Sequence, residues 1–429
     1  MHALLATALL AAQSYTITDL GTLGGGSNAF GGSELGHACG QSYTSQGEQR
    51  AVWSDGTALV NLGTLPGGAF SMAYAVNESD VVVGASGIAS GNHHAFRWQA
   101  GVMEDIGTLP GGALSLALDV NSNGEVAGWS SVASGASHAF LYARGVLHDL
   151  GTLPGGRFSE GHAVNNRRQV AGLSETASGA KHACLWTYGV PRDLGVLGGG
   201  STSVGTALNE LGHVTGWSAA NTIGIGTAFL WDGVMRDLGT LSGGTMSQGF
   251  GINEKDEVVG WSTDAGGRKC AVRWLFGQVT DLNTLLPPGS NWELYEAWDI
   301  NDAGDIVGWG YHNGQERAFR MQPDGLRLRG PSPGLTQEQN SFVVSGAPPR
   351  SRVFLAYGTQ SGFTAVPGCG SLSVDIQGAL LLGTADAGAS GNALFALRVP
   401  ATFAGLPLYV QAVVPSTCDK TNTVVHVFP

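Results

Sequence analysis

Three histidines, His94, His138 and His182, recur at a spacing of 44 residues, each followed by an alanine. Imidazoles at equivalent places in successive units are a possible ligand set for a metal ion. Six carboxylates and one amide recur on the same beat: Asp19, Asn61, Asp105, Asp149, Asp193, Asp237 and Asp281 each open a D-L-G-T-L-like phrase. A third group, Trp292, Glu293, Tyr295, Glu296 and Trp298, sets aromatic faces beside carboxylates, a combination that stacks on sugar rings and accepts hydrogen bonds from their hydroxyls. No G-x-S-x-G, H-E-x-x-H, phosphate-binding or dinucleotide fingerprint occurs, so no catalytic residue and no cofactor is indicated.

Whether any of these groups converges depends on the elements that carry them. The opening residues lie 42 residues apart once and then 44 apart, so seven similar units make up most of the chain. In the unit opening at Asp105, alternation of apolar and polar residues marks strands over Ser115 to Val120, Glu125 to Ser130 and His138 to Tyr142, with a fourth running into the next Asp. Asn121-Ser122-Asn123-Gly124 is a hairpin turn, because Asn and Gly tolerate left-handed backbone and Asn bonds its own main chain. The turn recurs at Asn77, Asn165, Asn209, Asn253 and Asn301, each followed seven residues later by glycine. That glycine points to a close backbone approach or a bulge in the second strand.

Four antiparallel strands every 44 residues are the dimensions of a propeller blade. The fold class expected is therefore all-β: a seven-bladed β-propeller followed by a smaller unit. Two segments compete to complete the last blade, Tyr15 to Thr18 and Gly325 to Leu328. The G-T-L-x-G-G segments then read as connectors from one blade to the next.

This geometry removes most of the initial chemistry. Equivalent third-strand residues lie about 10 Å outside the innermost strand. His94, His138 and His182 therefore diverge and cannot meet at bonds of roughly 2 Å to zinc, so no metal is expected; they should bond the adjacent blade. The opening Asp is expected to accept from the main-chain N–H groups that follow it. Turns such as Asn301 to Asp305 are oxygen-rich but too short for the six to eight ligands of calcium. Asn77-Glu78-Ser79 matches a glycosylation acceptor but is also the hairpin turn. The seventh unit has 20 residues from Asp281 to Asn301 where units two to six have 16, and the five-residue aromatic and acidic group lies there. It is the candidate ligand surface, against a plainer reading as an adapted terminal unit.

A further signature is His94-Ala95-Phe96, His138-Ala139-Phe140, His182-Ala183-Cys184, Thr227-Ala228-Phe229, Cys270-Ala271-Val272 and Arg317-Ala318-Phe319. With D-L-G-T-L and G-W-S, these triplets resemble the HAF family of extracellular bacterial repeats over about residues 15 to 325. The resemblance implies location and architecture, and it brings no catalytic residue or ligand.

The 429 residues include 68 glycines and only 13% charged residues, with a net charge of −12 and no basic run. Nucleic acid is thus not an expected partner, since phosphate binding needs clustered Lys and Arg. Residues 1–14 read as a short signal peptide cleaved after Ser14, which implies an extracellular or cell-surface protein. No apolar stretch is long enough for a transmembrane helix. Cys369 and Cys418 are the expected disulfide, and Cys39, Cys184 and Cys270 the expected buried fillers. Residues 15–329 form the repeat region, and residues 330–429, with about seven short strands, read as a β-sandwich-like domain. The function expected is a secreted, non-enzymatic protein that presents a binding or adhesion surface to a carbohydrate or an extracellular protein. A hydrolase or lyase with its site in the propeller channel and a purely structural envelope protein are the alternatives.

Overall fold

The computed structural model describes residues 15–219, 226–332, 337, 339–348, 350–367, 369, 372–387, 392–421 and 423–427. The proposed signal peptide lies outside them. The chain is all-β, and among the described residues the only helical elements are two short 3-10 turns. Seven sheets are four-stranded and antiparallel, one for each repeat. In the third, Ser115–Val120, Val126–Ser131, Ser137–Ala143 and Val146–Asp149 pair in chain order. The seventh sheet joins both ends of the repeat region: Trp292–Ile300, Ile306–His312 and Gln315–Pro323 pair in turn, and Tyr15–Asp19 adds as the fourth strand. Tyr15 is 2% exposed, and its hydroxyl accepts a hydrogen bond from Arg273 Nη1 at 2.7 Å. The N-terminal strand thus takes the slot for which two segments competed. Leu328 instead belongs to the strand Arg327–Ser332, which pairs with Gln339–Ser345 and crosses the expected boundary at residue 330.

The recurrent motifs are explained by main-chain accounting. Each buried N–H must find an acceptor. Ser115 Oγ accepts from Ala95 N, in the preceding sheet, at 2.8 Å and donates to Gly107 O in the connector at 2.5 Å. Ser71, Ser159, Ser203 and Ser247 repeat both bonds. A second serine, Ser130 of G-W-S, accepts from Leu109 N of the connector at 2.8 Å, and Ser86, Ser174, Ser218 and Ser262 do the same. Asp105 Oδ1 accepts from Gly107 N at 2.7 Å, as the turn-acceptor reading requires.

Two expectations need correction. The histidines do not bond a neighbouring sheet: His94 Nδ1 lies 2.8 Å from Asp105 Oδ2 on the paired fourth strand of its own sheet, and His138 and His182 repeat the pair with Asp149 and Asp193. The recurrent glycine does mark a close approach, but the bulge beside it lies in the first strand. A Cβ at Gly128 would sit 2.0 Å from Leu116 O, and the register slips between Ala117 and Asp119.

The remaining strands form a three-stranded and a five-stranded antiparallel sheet around a core that includes Leu328, Phe342, Val353, Leu355, Phe395 and Leu408, and a two-stranded ribbon whose Val374 and Ile376 pack with Val413 in a second cluster. Cys369 and Cys418 are paired at disulfide distance, with Cα atoms 5.3 Å apart. Cys39, Cys184 and Cys270 are buried and unpaired.

Candidate functional site

The first-strand bulge decides what faces inward. An extra residue on one strand breaks the two-residue alternation and re-aims a side chain. The residue opposite the slip is Phe30 in the first sheet, then Tyr74, Leu118, His162, Thr206, Phe250 and Trp298 in the others. All seven line one cavity of about 420 Å³, to which every four-stranded sheet therefore contributes.

The wall of this cavity has two unlike arcs. Tyr74, Phe30, Trp298 and Phe250 form a continuous aromatic run. Tyr74 and Phe30 have centroids 5.6 Å apart, Phe30 meets Trp298 edge-on at 5.1 Å, and Trp298 stacks on Phe250 at 4.2 Å. Leu118, His162 and Thr206 make the other arc. His162 Nδ1 donates to Gly205 O at 2.8 Å and its Nε2 lies 3.1 Å from Glu160 Oε2, while Thr206 Oγ1 donates to Gly249 O at 2.7 Å.

Two carboxylates complete the lining, each directly after a bulge residue. Asp119 Oδ1 accepts from Val120 N and its Oδ2 from Val164 N of the next sheet, at 2.8 and 2.7 Å. Asp299 repeats this with Ile300 N and with Gly32 N of the first sheet, at 2.8 and 2.9 Å. Burial outweighs these favourable bonds and pushes Asp119 up to about 6 and Asp299 up to about 7. The other repeats carry Gly31, Ala75, Ala163, Ala207 and Gly251 at this place.

At the end of the first strands lie the Asn turns, which are linked from sheet to sheet. Asn121 Nδ2 donates to Asn165 O at 3.0 Å, and the same bond joins Asn77 to Asn121 and Asn301 to Ser33. The next residue of each turn forms a second circuit. The N–H groups of Ser122, Asn166, Glu210, Glu254 and Asp302 donate to side-chain oxygens of Asn166, Glu210, Glu254, Asp302 and Glu34 in turn. Glu34 N–H reaches Glu78, and Ser122 Oγ donates to Glu78 Oε2 at 2.9 Å. Desolvation raises all five acids of this circuit; Glu210 is pushed up to about 7 and Asp302 to about 6. Val425 N donates to Asp302 Oδ2 at 3.1 Å, so the C-terminal strands touch the same end.

The five residues singled out in the seventh repeat are divided by two bulges in Trp292–Ile300. Trp298 enters the cavity. Trp292 stacks on His312 at 4.5 Å and lines a separate cleft with Thr16, Ile17 and Asp19. Tyr295 stacks on Trp309 at 5.3 Å, and Glu293 lies 3.4 Å from Arg268. Glu296, beside Lys269, accepts from Trp298 Nε1 and Trp309 Nε1, both at 2.8 Å. The insertion before them places Leu282, Leu285 and Leu286 against a core. Asn77 is 3% exposed and donates its amide to Asn121 O, so its side chain is a structural tie and not an open glycosylation acceptor.

Among the described residues, no three His, Cys, Asp or Glu side chains are grouped as a metal ion would require, and no helix is long and apolar enough to cross a membrane. No family model matches the chain, and no curated protein matches it.

Proposed function

We propose that the chain is a secreted, HAF-type repeat protein in which the seven sheets are the blades of a β-propeller, and that its central cavity binds a small ligand or a ligand's projecting group without catalysis. The observation that carries this reading is the lining: one bulge residue from each of seven repeats converges on a single 420 Å³ space, a size ordinary for ligand pockets. The hydrogen-bond circuit through the Asn turns supports the ring, because it returns to the residue from which it starts.

The test is a screen of glycans, peptides and small organic molecules, read by thermal shift and repeated on Trp298→Ala and Trp292→Ala proteins. Ligand-induced stabilisation should be lost in Trp298→Ala and kept in Trp292→Ala. Loss in Trp292→Ala alone would move the site to the outer cleft. The hydrolase or lyase reading has one observation in its favour, the pair of raised carboxyls at Asp119 and Asp299. Turnover of a polysaccharide that disappears in Asp299→Asn would establish it; each carboxylate already holds two main-chain N–H groups, which makes binding the better reading.

A further inference from the structure

We infer that the cavity selects a compact organic cation of the quaternary-ammonium type, held against the Tyr74–Phe30–Trp298–Phe250 wall and balanced by Asp119 and Asp299. The inference rests on the cavity-binding reading above and narrows its ligand. Aromatic ring faces carry negative potential and attract a cation that has given up its water. Four contiguous aromatic rings line the cavity on one side; Trp298 stacks on Phe250 and Phe30 on Tyr74, which leaves the outer faces of Tyr74 and Phe250 as the ring surface outside the stacks. The lining contains two carboxylates and neither lysine nor arginine. Glu34, Glu78, Glu210, Glu254 and Asp302 at the turn end of the same strands are raised by desolvation and stand beside Lys255 and Arg167, so the charge that faces a ligand is that of Asp119 and Asp299.

The hydrogen-bonding inventory separates this ligand from a sugar. Hydroxyl-rich ligands need several uncommitted polar partners. Here Thr206 donates to a main-chain carbonyl, both His162 nitrogens are engaged, and each oxygen of Asp119 and Asp299 already accepts a main-chain N–H. Besides the Tyr74 hydroxyl, which donates a long bond to Met72 Sδ at 3.8 Å, what the wall still offers is ring surface and negative charge. A tetraalkylammonium headgroup requires those two things and no hydrogen bond.

Calorimetric titration of the full-length secreted protein with choline chloride, and with its neutral carbon isostere 3,3-dimethylbutan-1-ol, tests the charge term at constant shape. Choline should bind, and the isostere should bind at least about tenfold more weakly. Equal affinities, or no choline binding, would overturn the inference, as would binding of calcium chloride in place of choline. Asp119→Asn combined with Asp299→Asn keeps an acceptor oxygen at each site and should weaken choline about tenfold or more while leaving the isostere unchanged. The comparison on the unsubstituted protein stands even if this variant folds poorly. Should choline fail while a neutral glycan binds in a Trp298-dependent way, the cation inference falls and the cavity reading survives.

Discussion

The connectors and the cavity wall are built from the same seven repeats, yet they treat their residues in opposite ways. At the connectors the same groups return: the serine that joins a third strand to the next first strand is Ser27, Ser71, Ser115, Ser159, Ser203 and Ser247. In the seventh repeat the connector residue Asn283, at the place of Gly239 in the sixth, ties the connector to the first strand, its amide bonding both Leu294 N and Leu294 O. Three residues before each turn Asn, or before Ser33 in the first repeat, the side chain changes every time except for the repeated Phe: Phe, Tyr, Leu, His, Thr, Phe, Trp. Uniformity follows where a buried main-chain group demands one acceptor. Diversity is tolerated where no buried main-chain N–H depends on the side chain, and that is where a ligand-specific surface can be assembled.

The sharpest way to break this contrast is to alter the uniform frame. A Cβ added at Gly172 would stand 1.9 Å from Glu160 O and 3.0 Å from the Gly161 Cα, with no flexible group to yield. Gly172→Ala should cost about 3 kcal/mol, measured by urea unfolding of the whole chain. A loss within about 0.5 kcal/mol would show that the bulged first strand can shift to accommodate it.

A second effect arises where frame and wall meet, at the buried acids. Asp299 and Glu210 are pushed up to about 7, and Asp119 and Asp302 to about 6, chiefly by burial. In the unfolded chain such carboxyls titrate near 4. A raised acid holds its proton more tightly when folded, so its contribution is fully present below about pH 4 and is lost as pH rises through about 7. The melting temperature should thus be higher at pH 5 than at pH 8, by at least about 3 °C. Asp119→Asn and Asp299→Asn should flatten the profile, and a melting temperature that rises over this interval would contradict the burial assigned to these groups.

Ser159→Ala is a milder change to the frame. It removes the acceptor for the buried Ala139 N–H and the donor to Gly151 O. An unsatisfied buried N–H costs about 1–3 kcal/mol, which equilibrium unfolding should register with ligand binding unchanged.

How much of this was legible in the sequence follows from the same contrast. The strands, the Asn turns and the acceptor role of the opening Asp could be read because identical main-chain demands leave identical residues at a fixed spacing. The closing strand could not, since Tyr15 to Thr18 and Gly325 to Leu328 are equally suited to pairing; the burial of Tyr15 and its bond to Arg273 distinguish them only in space. The cavity wall was largely missed. Strict alternation along Ser115–Val120 gives no sign that Leu118 is the bulge residue, and in the seventh repeat, which its extra residues set apart, only Trp298 of the five aromatic and acidic candidates enters the cavity. Aligning the repeats and asking which position varies inside a uniform strand would have pointed to Tyr74, His162 and Thr206 as well.

The smallest expected effect tests the wall itself. Leu118 and Thr206 occupy the same bulge in the third and fifth sheets, and both are only half-buried at the cavity. Leu118→Thr therefore installs a residue the fold already accepts at that position. The hydroxyl has an acceptor to follow, since Thr206 Oγ1 donates to Gly249 O of the neighbouring sheet and the matching carbonyl beside Leu118 is that of Gly161. Unfolding free energy should change by no more than about 1 kcal/mol, far less than for Gly172→Ala, although both substitutions lie in the bulge region. A loss equal to that of the frame variants would mean that the wall is packed as tightly as the connectors, and the diversity of its seven residues would then need an explanation other than freedom from main-chain constraint.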